Sequence, residues 1–143
     1  MDPNTVAAAA RAGIDLSTHS PRRLDATVLA TDGADLVLAA TRTVLREVTA
    51  IDPRAWPRTF TIKELARLAA EAGPAPNGES FDAWLGRLAE GRQTADRVAP
   101  SPDDDIEDPY GGPRRDHEKM VDELSHAVAT LVRYAPGGAA NGA

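Results

Sequence analysis

Asp35-Leu36-Val37-Leu38-Ala39-Ala40 is an apolar run, opened by one aspartate, in which polar residues do not alternate with apolar ones. Such a run is typical of a β-strand that is covered on both faces, as in a parallel sheet between layers of helices. Thr41 follows as a predicted helix N-cap. The helix is predicted to continue through about Thr49, with apolar residues at helical spacing: Val44, Leu45 and Val48. The sequence therefore predicts a strand that leads directly into a helix.

The next segment repeats this alternation. Arg58-Thr59-Phe60 is prone to β-structure, and Thr61 with Glu64 forms a capping-box pattern that begins a helix bearing Leu65, Leu68 and Ala69. Repeated strand–helix units favour an α/β layered domain, in which ligands bind beyond the carboxyl ends of the strands. Two strands alone make a marginal sheet with unpaired edges. Either the chain is therefore incomplete or another element completes the sheet.

Helices are also predicted on both sides of this region. Asp2-Pro3 supplies an N-cap and a first helical position for a helix that stops at Gly13, and Leu24 to Leu29 forms another turn or two. Ser80 opens a helix with a predicted inward stripe of Phe81, Trp84, Leu85 and Leu88. The last helix is predicted over Arg114 to Tyr134, with an apolar face of Val121, Leu124, Val128, Leu131 and Val132.

Two segments lack helical or strand periodicity. Residues 91–113 are polar, acidic and interrupted by prolines, which predicts a long loop of the kind that often carries function. Residues 135–143 are small and rich in glycine, and they are predicted to be a disordered tail. The predicted domain therefore covers residues 1–134.

Composition excludes several classes of function. The chain has 143 residues, a net charge of −6 and no cysteine. A negative balance does not suit binding to phosphate backbones, so no nucleic-acid partner is expected. The absence of cysteine excludes disulfides, thiolate metal sites and a cysteine nucleophile within these residues. No signal peptide or membrane span is predicted, which makes the cytoplasm the expected location.

Three blocks, taken together, resemble the low-molecular-weight protein-tyrosine phosphatase family. Residues 11–24 (Arg11-Ala12-Gly13-Ile14-Asp15-Leu16-Ser17-Thr18-His19-Ser20-Pro21-Arg22-Arg23-Leu24) are similar to a helix end and turn of that family. Ala34 to Leu38 resembles its third strand, and Ile106-Glu107-Asp108-Pro109-Tyr110-Gly111-Gly112 resembles its general-acid loop. The similarity extends from Asp2 to about Arg133. It implies an incomplete three-layer, Rossmann-like parallel sheet flanked by helices.

The family's first strand, its Cys-x5-Arg phosphate loop and its second strand have no counterpart in these residues. The resemblance implies that the first strand would lie beside residues 35–39, so its absence would expose that edge. A phosphate loop works because backbone N–H groups, a helix N-terminus and the arginine hold the phosphate and favour the thiolate. The resemblance implies no cofactor.

For Asp108 the resemblance implies a general acid that protonates the leaving phenolate and then activates water. Tyr110 would line the entrance beside a substrate ring. Without the cysteine, Asp108 is interpreted as a vestigial general acid, and the chain is predicted to be inactive as given. The alternative is an ordinary Asp-Pro turn, in which Asp108 only caps the following segment.

Other polar residues predict no site. His19, His117 and His126 lack metal-ligand spacing and are predicted to be solvated. The acidic run Asp103 to Asp105 lacks the glycine and spacing of a calcium loop and is predicted to be a solvated loop. Trp56 and Trp84 are predicted to be packing residues.

Two functions of different classes remain open. In the first, the chain is the carboxy-terminal portion of a phosphatase, mis-started or truncated, whose complete form would act on phosphotyrosine proteins or phosphoarginine proteins. In the second, it is a non-catalytic protein-binding module whose open edge at residues 35–39 pairs with a partner strand or with another copy.

Overall fold

The computed structural model describes residues 2–30, 34–90, 92 and 102–138. They form a mixed α/β fold in which a small parallel sheet is flanked by helices. The sheet pairs β1 (Val37–Ala39) with β2 (Thr59–Thr61), and Leu38 lies opposite Phe60 in the register. The helices are α1 (Pro3–Arg11), α2 (Ala26–Leu29), α3 (Arg42–Ile51), α4 (Ile62–Ala72), α5 (Phe81–Glu90) and α6 (Arg114–Tyr134), with 3₁₀ turns at Pro53–Arg58 and Pro102–Asp104.

The helix starts follow the predicted caps. The Asp2 carboxylate accepts the Asn4 N–H at 2.8 Å, and the Thr41 hydroxyl accepts the Val44 N–H at 3.2 Å. The capping box of α4 is complete, because the Thr61 hydroxyl and the Glu64 carboxylate each accept the other residue's N–H. Side chains thus satisfy N–H groups that a helix start leaves without intrahelical partners.

The strand prediction was wrong in length and in burial. β1 covers only Val37–Ala39, and Leu38 is 42% exposed, whereas all three residues of β2 are buried. β1 pairs with β2 on one edge, and within the described residues its other edge carries no strand. β1 is therefore an edge strand of the described sheet, and one of its faces is partly uncovered. The prediction was a strand covered on both faces.

The core lies between β2, α4 and α5. Its fully buried members include Phe60, Leu65 and Trp84. In α5 the predicted inward stripe holds for Trp84, Leu85 and Leu88. It was wrong for Phe81, which lies at the first position of the helix and is 38% exposed, although its ring centroid lies 5.6 Å from that of Trp84.

Helix α6 begins and ends at the predicted residues, but its buried face is rotated from the predicted one. Val121 is buried and Leu124 and Leu131 are partly buried, whereas Val128 and Val132 are 48% and 60% exposed. The helix packs between α1 and α4, and small Ala127 reaches the cluster of Ile62, Ala66 and Ile106. Two neighbouring helices, rather than one apolar stripe, therefore set the orientation of α6.

The long-loop and tail predictions fall partly on residues 91, 93–101 and 139–143, which lie outside the described residues. The described part of the predicted tail begins with Ala135, which is half-buried and packs against the core. No helix among the described residues has the length and apolar character to cross a membrane.

Candidate functional site

The Asp108 loop begins at the carboxyl end of the sheet. The Ile106 N–H donates to the carbonyl of Ala40, the residue after β1, at 2.9 Å. Lys63 at the start of α4 donates from Nζ to the Asp105 carbonyl at 3.1 Å. These bonds place the loop where α3 and α4 both begin, the edge at which parallel α/β sheets bind ligands.

The loop itself is a pair of tight turns. The Asp108 carboxylate accepts the Tyr110 N–H at 3.0 Å, and the Gly112 N–H donates to the Pro109 carbonyl at 2.8 Å. Gly111 has a φ of 74°, and a Cβ on Gly112 would lie 2.9 Å from the Pro109 oxygen. Both glycines are therefore required by the turn. Pro109 is buried, whereas Asp108 is exposed and Tyr110 is 81% exposed.

A groove of about 650 Å³ runs along this loop and the first turns of α6. The loop residues Asp105, Glu107 and Asp108 contribute to its lining, as do Lys63 and Lys119 from the two flanking helices. The Glu123 carboxylate lies 3.8 Å from the ammonium of Lys63 and 3.7 Å from that of Lys119, so both lysine charges of the groove have an acidic partner. The groove thus presents an exposed carboxyl and an exposed aromatic ring, Asp108 and Tyr110, beside a mixed-charge wall.

Buried ion pairs lie beneath the loop. Arg42 donates from Nη2 to Asp104 Oδ2 at 2.8 Å and lies 3.5 Å from Glu64 Oε1, and the three side chains are at most 5% exposed. Arg92 pairs with the other Glu64 oxygen at 2.9 Å. Charges removed from water need such partners, because an unpaired buried charge is strongly destabilising.

This network corrects the prediction of a solvated acidic run. Asp103 is exposed, but Asp104 is buried against Arg42, and Asp105 accepts the Arg42 backbone N–H at 2.7 Å. Arg67 also approaches Asp104, at 3.5 Å. Burial disfavours the charged form of Arg67 and is the largest single effect, yet the hydrogen bonds and charges of Asp104 and Glu71 together outweigh it and raise the pKa of the guanidinium.

Sequence reasoning did not single out Arg42 or Arg92. The burial of Arg42 could have been inferred from its spacing, because Arg42 lies three residues before Leu45 and six before Val48, on the same face of α3. All three are buried. Arg92 had no comparable signal. Its guanidinium lies 3.8 Å from the Phe60 ring centroid and 4.3 Å from that of Trp56, contacts that join residues distant in sequence.

The exposure of the histidines and tryptophans tests the predictions made for them. His19 and His126 are exposed, as predicted, but His117 is fully buried and the prediction of a solvated side chain was wrong for it. Its position on α6 faces α1, where Thr5 supplies a polar partner. Trp84 packs in the core as predicted, and Trp56 is partly buried beneath Arg92. Within the described ranges, no group of three acidic or histidine side chains could hold a metal ion.

Comparisons of the chain with models of known families, with curated proteins and with solved structures give no match. The chemistry available at the loop is proton transfer by the exposed Asp108 carboxyl and stacking by the exposed Tyr110 ring. A thiol nucleophile is not among the 143 residues, because the sequence contains no cysteine.

Proposed function

We propose that the Asp108 loop is the general-acid loop of a phosphomonoester hydrolase related to the low-molecular-weight protein-tyrosine phosphatases, and that these 143 residues are inactive by themselves. One observation carries the proposal. The sequence Asp108-Pro109-Tyr110-Gly111-Gly112, which resembles the family's acid loop, follows a backbone bond from Ile106 to the residue after β1. That position suits an acid acting on a ligand at the carboxyl end of the sheet.

The proposed site needs a further strand and a phosphate loop. The open edge of β1 would receive that strand, which would extend the sheet toward the Rossmann-like arrangement of the family. The phosphate loop that follows it would then face Asp108. Asp108 would protonate the leaving phenolate oxygen of a phosphotyrosine protein, or the leaving guanidino nitrogen of a phosphoarginine protein, as the cysteine thiolate displaces it. It would later accept a proton from the water that hydrolyses the phosphocysteine. Tyr110 would flank the substrate.

Asp108 has no role in turnover without that loop. A general acid typically contributes about 10² to 10⁴-fold, and it acts on a leaving group that a nucleophile displaces. The chain alone is therefore expected to hydrolyse neither p-nitrophenyl phosphate nor phenyl phosphate. Hydrolysis above the buffer rate that disappears in Asp108→Asn would contradict this expectation.

A fusion protein tests the claim that Asp108 acts as a general acid once a phosphate loop is supplied. A strand–Cys-x5-Arg–helix–strand segment from an active low-molecular-weight phosphatase is joined before Met1. We expect phenyl phosphate hydrolysis that falls by roughly 10² to 10⁴-fold in Asp108→Asn. Asp103→Asn is the matched control, because Asp103 is an exposed carboxylate on the same acidic segment and should leave the rate unchanged. An active fusion protein that is indifferent to Asp108→Asn would refute the acid role.

The second candidate is a binding module, and the exposure of Leu38 favours it. This side chain lies on a strand that has one paired edge within the described residues, and such an edge can accept a strand from another protein. The genomic frame before Met1 distinguishes the candidates. An in-frame Cys-x5-Arg would support the phosphatase, whereas an immediate stop codon would support the binding module.

A further inference from the structure

The root of the acid loop, residues 104–106, is bonded to one short segment of the chain, residues 40–42. The Arg42 side chain donates to Asp104 at 2.8 Å, and the Arg42 backbone N–H donates to Asp105 at 2.7 Å. The Ile106 N–H donates back to the Ala40 carbonyl at 2.9 Å. Three consecutive residues of the loop root are thus held by the turn between β1 and α3.

We propose that Arg42 is a positioning residue for Asp108, acting through its buried pair with Asp104; this inference rests on the proposed function. Asp108 lies two residues beyond Ile106, and two residues span at most about 7 Å of extended chain. A shift of the root therefore moves the carboxyl that would donate the proton. Misplacement of a reacting group by about 1 Å can cost 10²-fold in rate.

Arginine suits this position better than lysine. Its guanidinium reaches two carboxylates at once, Asp104 at 2.8 Å and Glu64 at 3.5 Å, and it remains charged when buried. A lysine ammonium is more strongly hydrated and sits on a flexible stem, so it is costlier to bury and its position between the two carboxylates is less fixed. Arg42→Lys should therefore keep the charge while weakening the bridge.

The effect of losing Arg42 should concentrate on the loop root. Glu64 retains Arg92 at 2.9 Å, a pair that is also buried. Among the ion pairs of the described residues, Asp104 retains only the longer 3.5 Å contact with Arg67, whose side chain is 44% exposed. Asp104 is therefore the carboxylate most dependent on Arg42.

Amide hydrogen exchange in the 143-residue chain tests the positioning directly. The Ile106 and Gly112 amides report on the loop, and the Leu65 and Leu68 amides of α4 report on global opening. In Arg42→Lys and in Asp104→Asn, the Ile106 amide should exchange at least about tenfold faster relative to the α4 amides, which corresponds to loss of one charge-assisted hydrogen bond. Arg46→Lys, an exposed arginine on the same helix, is the control and should leave this ratio unchanged.

A merely structural Arg42 would raise the exchange of all these amides together. Equal acceleration of the Ile106 and α4 amides in both variants, or no change in the Ile106 amide, would overturn the proposal. Two conservative variants are used so that the failure of one to fold leaves the other to decide.

The fusion protein described above adds a catalytic readout. A displaced acid slows a poor leaving group more than a good one, because phenolate needs the proton more than p-nitrophenolate does. Arg42→Lys should therefore lower kcat/KM, which covers the steps up to departure of the leaving group, about tenfold or more for phenyl phosphate relative to p-nitrophenyl phosphate. This difference should vanish in the Asp108→Asn background. An equal loss of kcat/KM for both substrates would count against positioning. An inactive fusion protein would count against the proposed function, while the exchange ratio would still decide the role of Arg42.

Discussion

The imidazole Nδ1 of His117 lies 2.9 Å from the hydroxyl oxygen of Thr5, and the imidazole is fully buried where α6 meets α1. Its Nε2 lies 3.9 Å from the Asp2 carboxylate that caps α1 and makes no hydrogen bond to the described residues. The contact of Thr5 with His117 is thus a buried polar link between α1 and α6. An apolar residue at position 5 would leave the whole ring without a hydrogen bond.

Thr5→Val should destabilise the fold. The substitution keeps the β-branched shape and removes the hydroxyl, which leaves a buried polar nitrogen unsatisfied at a cost of about 1–3 kcal/mol. The free energy of unfolding is measured in urea, where the midpoint should fall while the slope is unchanged. Thr130→Val is the matched control, because the Thr130 hydroxyl bonds only the carbonyl of His126 on its own helix. Equal effects of the two substitutions would show that the His117 contact contributes nothing.

Local signals predicted much of this fold. The caps at Thr41 and Thr61 and both ends of α6 lie where the sequence indicates, because capping and helical periodicity depend on residues close together in the chain. The burial of His117 and the exposure of Val132 were not predictable in this way. Both depend on how α6 packs between two helices that are distant in sequence.

The candidate site divides in the same manner. The loop motif at Asp108 can be identified in the sequence, and the structure places it at the carboxyl end of the sheet. The buried ion pair of Arg42 and Asp104 beneath the loop could not be predicted from the sequence. Asp104 and Arg42 are 62 residues apart, and the helical spacing that places Arg42 on the buried face of α3 does not indicate which carboxylate it meets there.

Leu65→Ala tests the position of the core. Leu65 is fully buried between β2, α4 and α5, so its truncation should cost about 2–5 kcal/mol through lost burial and the cavity that remains. Val132→Ala is the control on the face of α6 that was wrongly predicted to be buried, and it should change the free energy of unfolding by less than about 0.5 kcal/mol. A large loss from Val132→Ala would mean that the predicted face, rather than the observed one, packs inward.

The open edge of β1 should promote self-association. Leu38 is 42% exposed on a short strand, and an apolar edge strand can pair with the same strand of another copy. Leu38→Lys should lower the average mass measured by sedimentation at high protein concentration, because a charge on an edge strand opposes pairing. Val44→Lys provides the comparison: Val44 is 39% exposed but lies on α3. If both substitutions lower the mass equally, general solubility rather than the strand edge is responsible.

The ion pair of Glu79 and Arg87 should make stability depend on pH in the acidic range. Arg87 donates from Nε and Nη2 to the two Glu79 oxygens, each at 2.9 Å, and this hydrogen bonding lowers the pKa of Glu79 below its ordinary value of 4.5. A carboxyl with a lower pKa in the folded state binds fewer protons when folded than when unfolded, so it stabilises the fold above the unfolded-state pKa. That contribution is lost as pH falls from 4.5 through the folded-state pKa. Glu79→Gln should therefore be less stable than the parent at pH 7, and the difference should shrink toward zero on acidification.

Glu47→Gln, which replaces an exposed carboxyl on α3, controls for the change of net charge. A difference for Glu79→Gln that is constant across the acidic range would mean that the amide substitution acts through packing, and not through the charge that Arg87 holds.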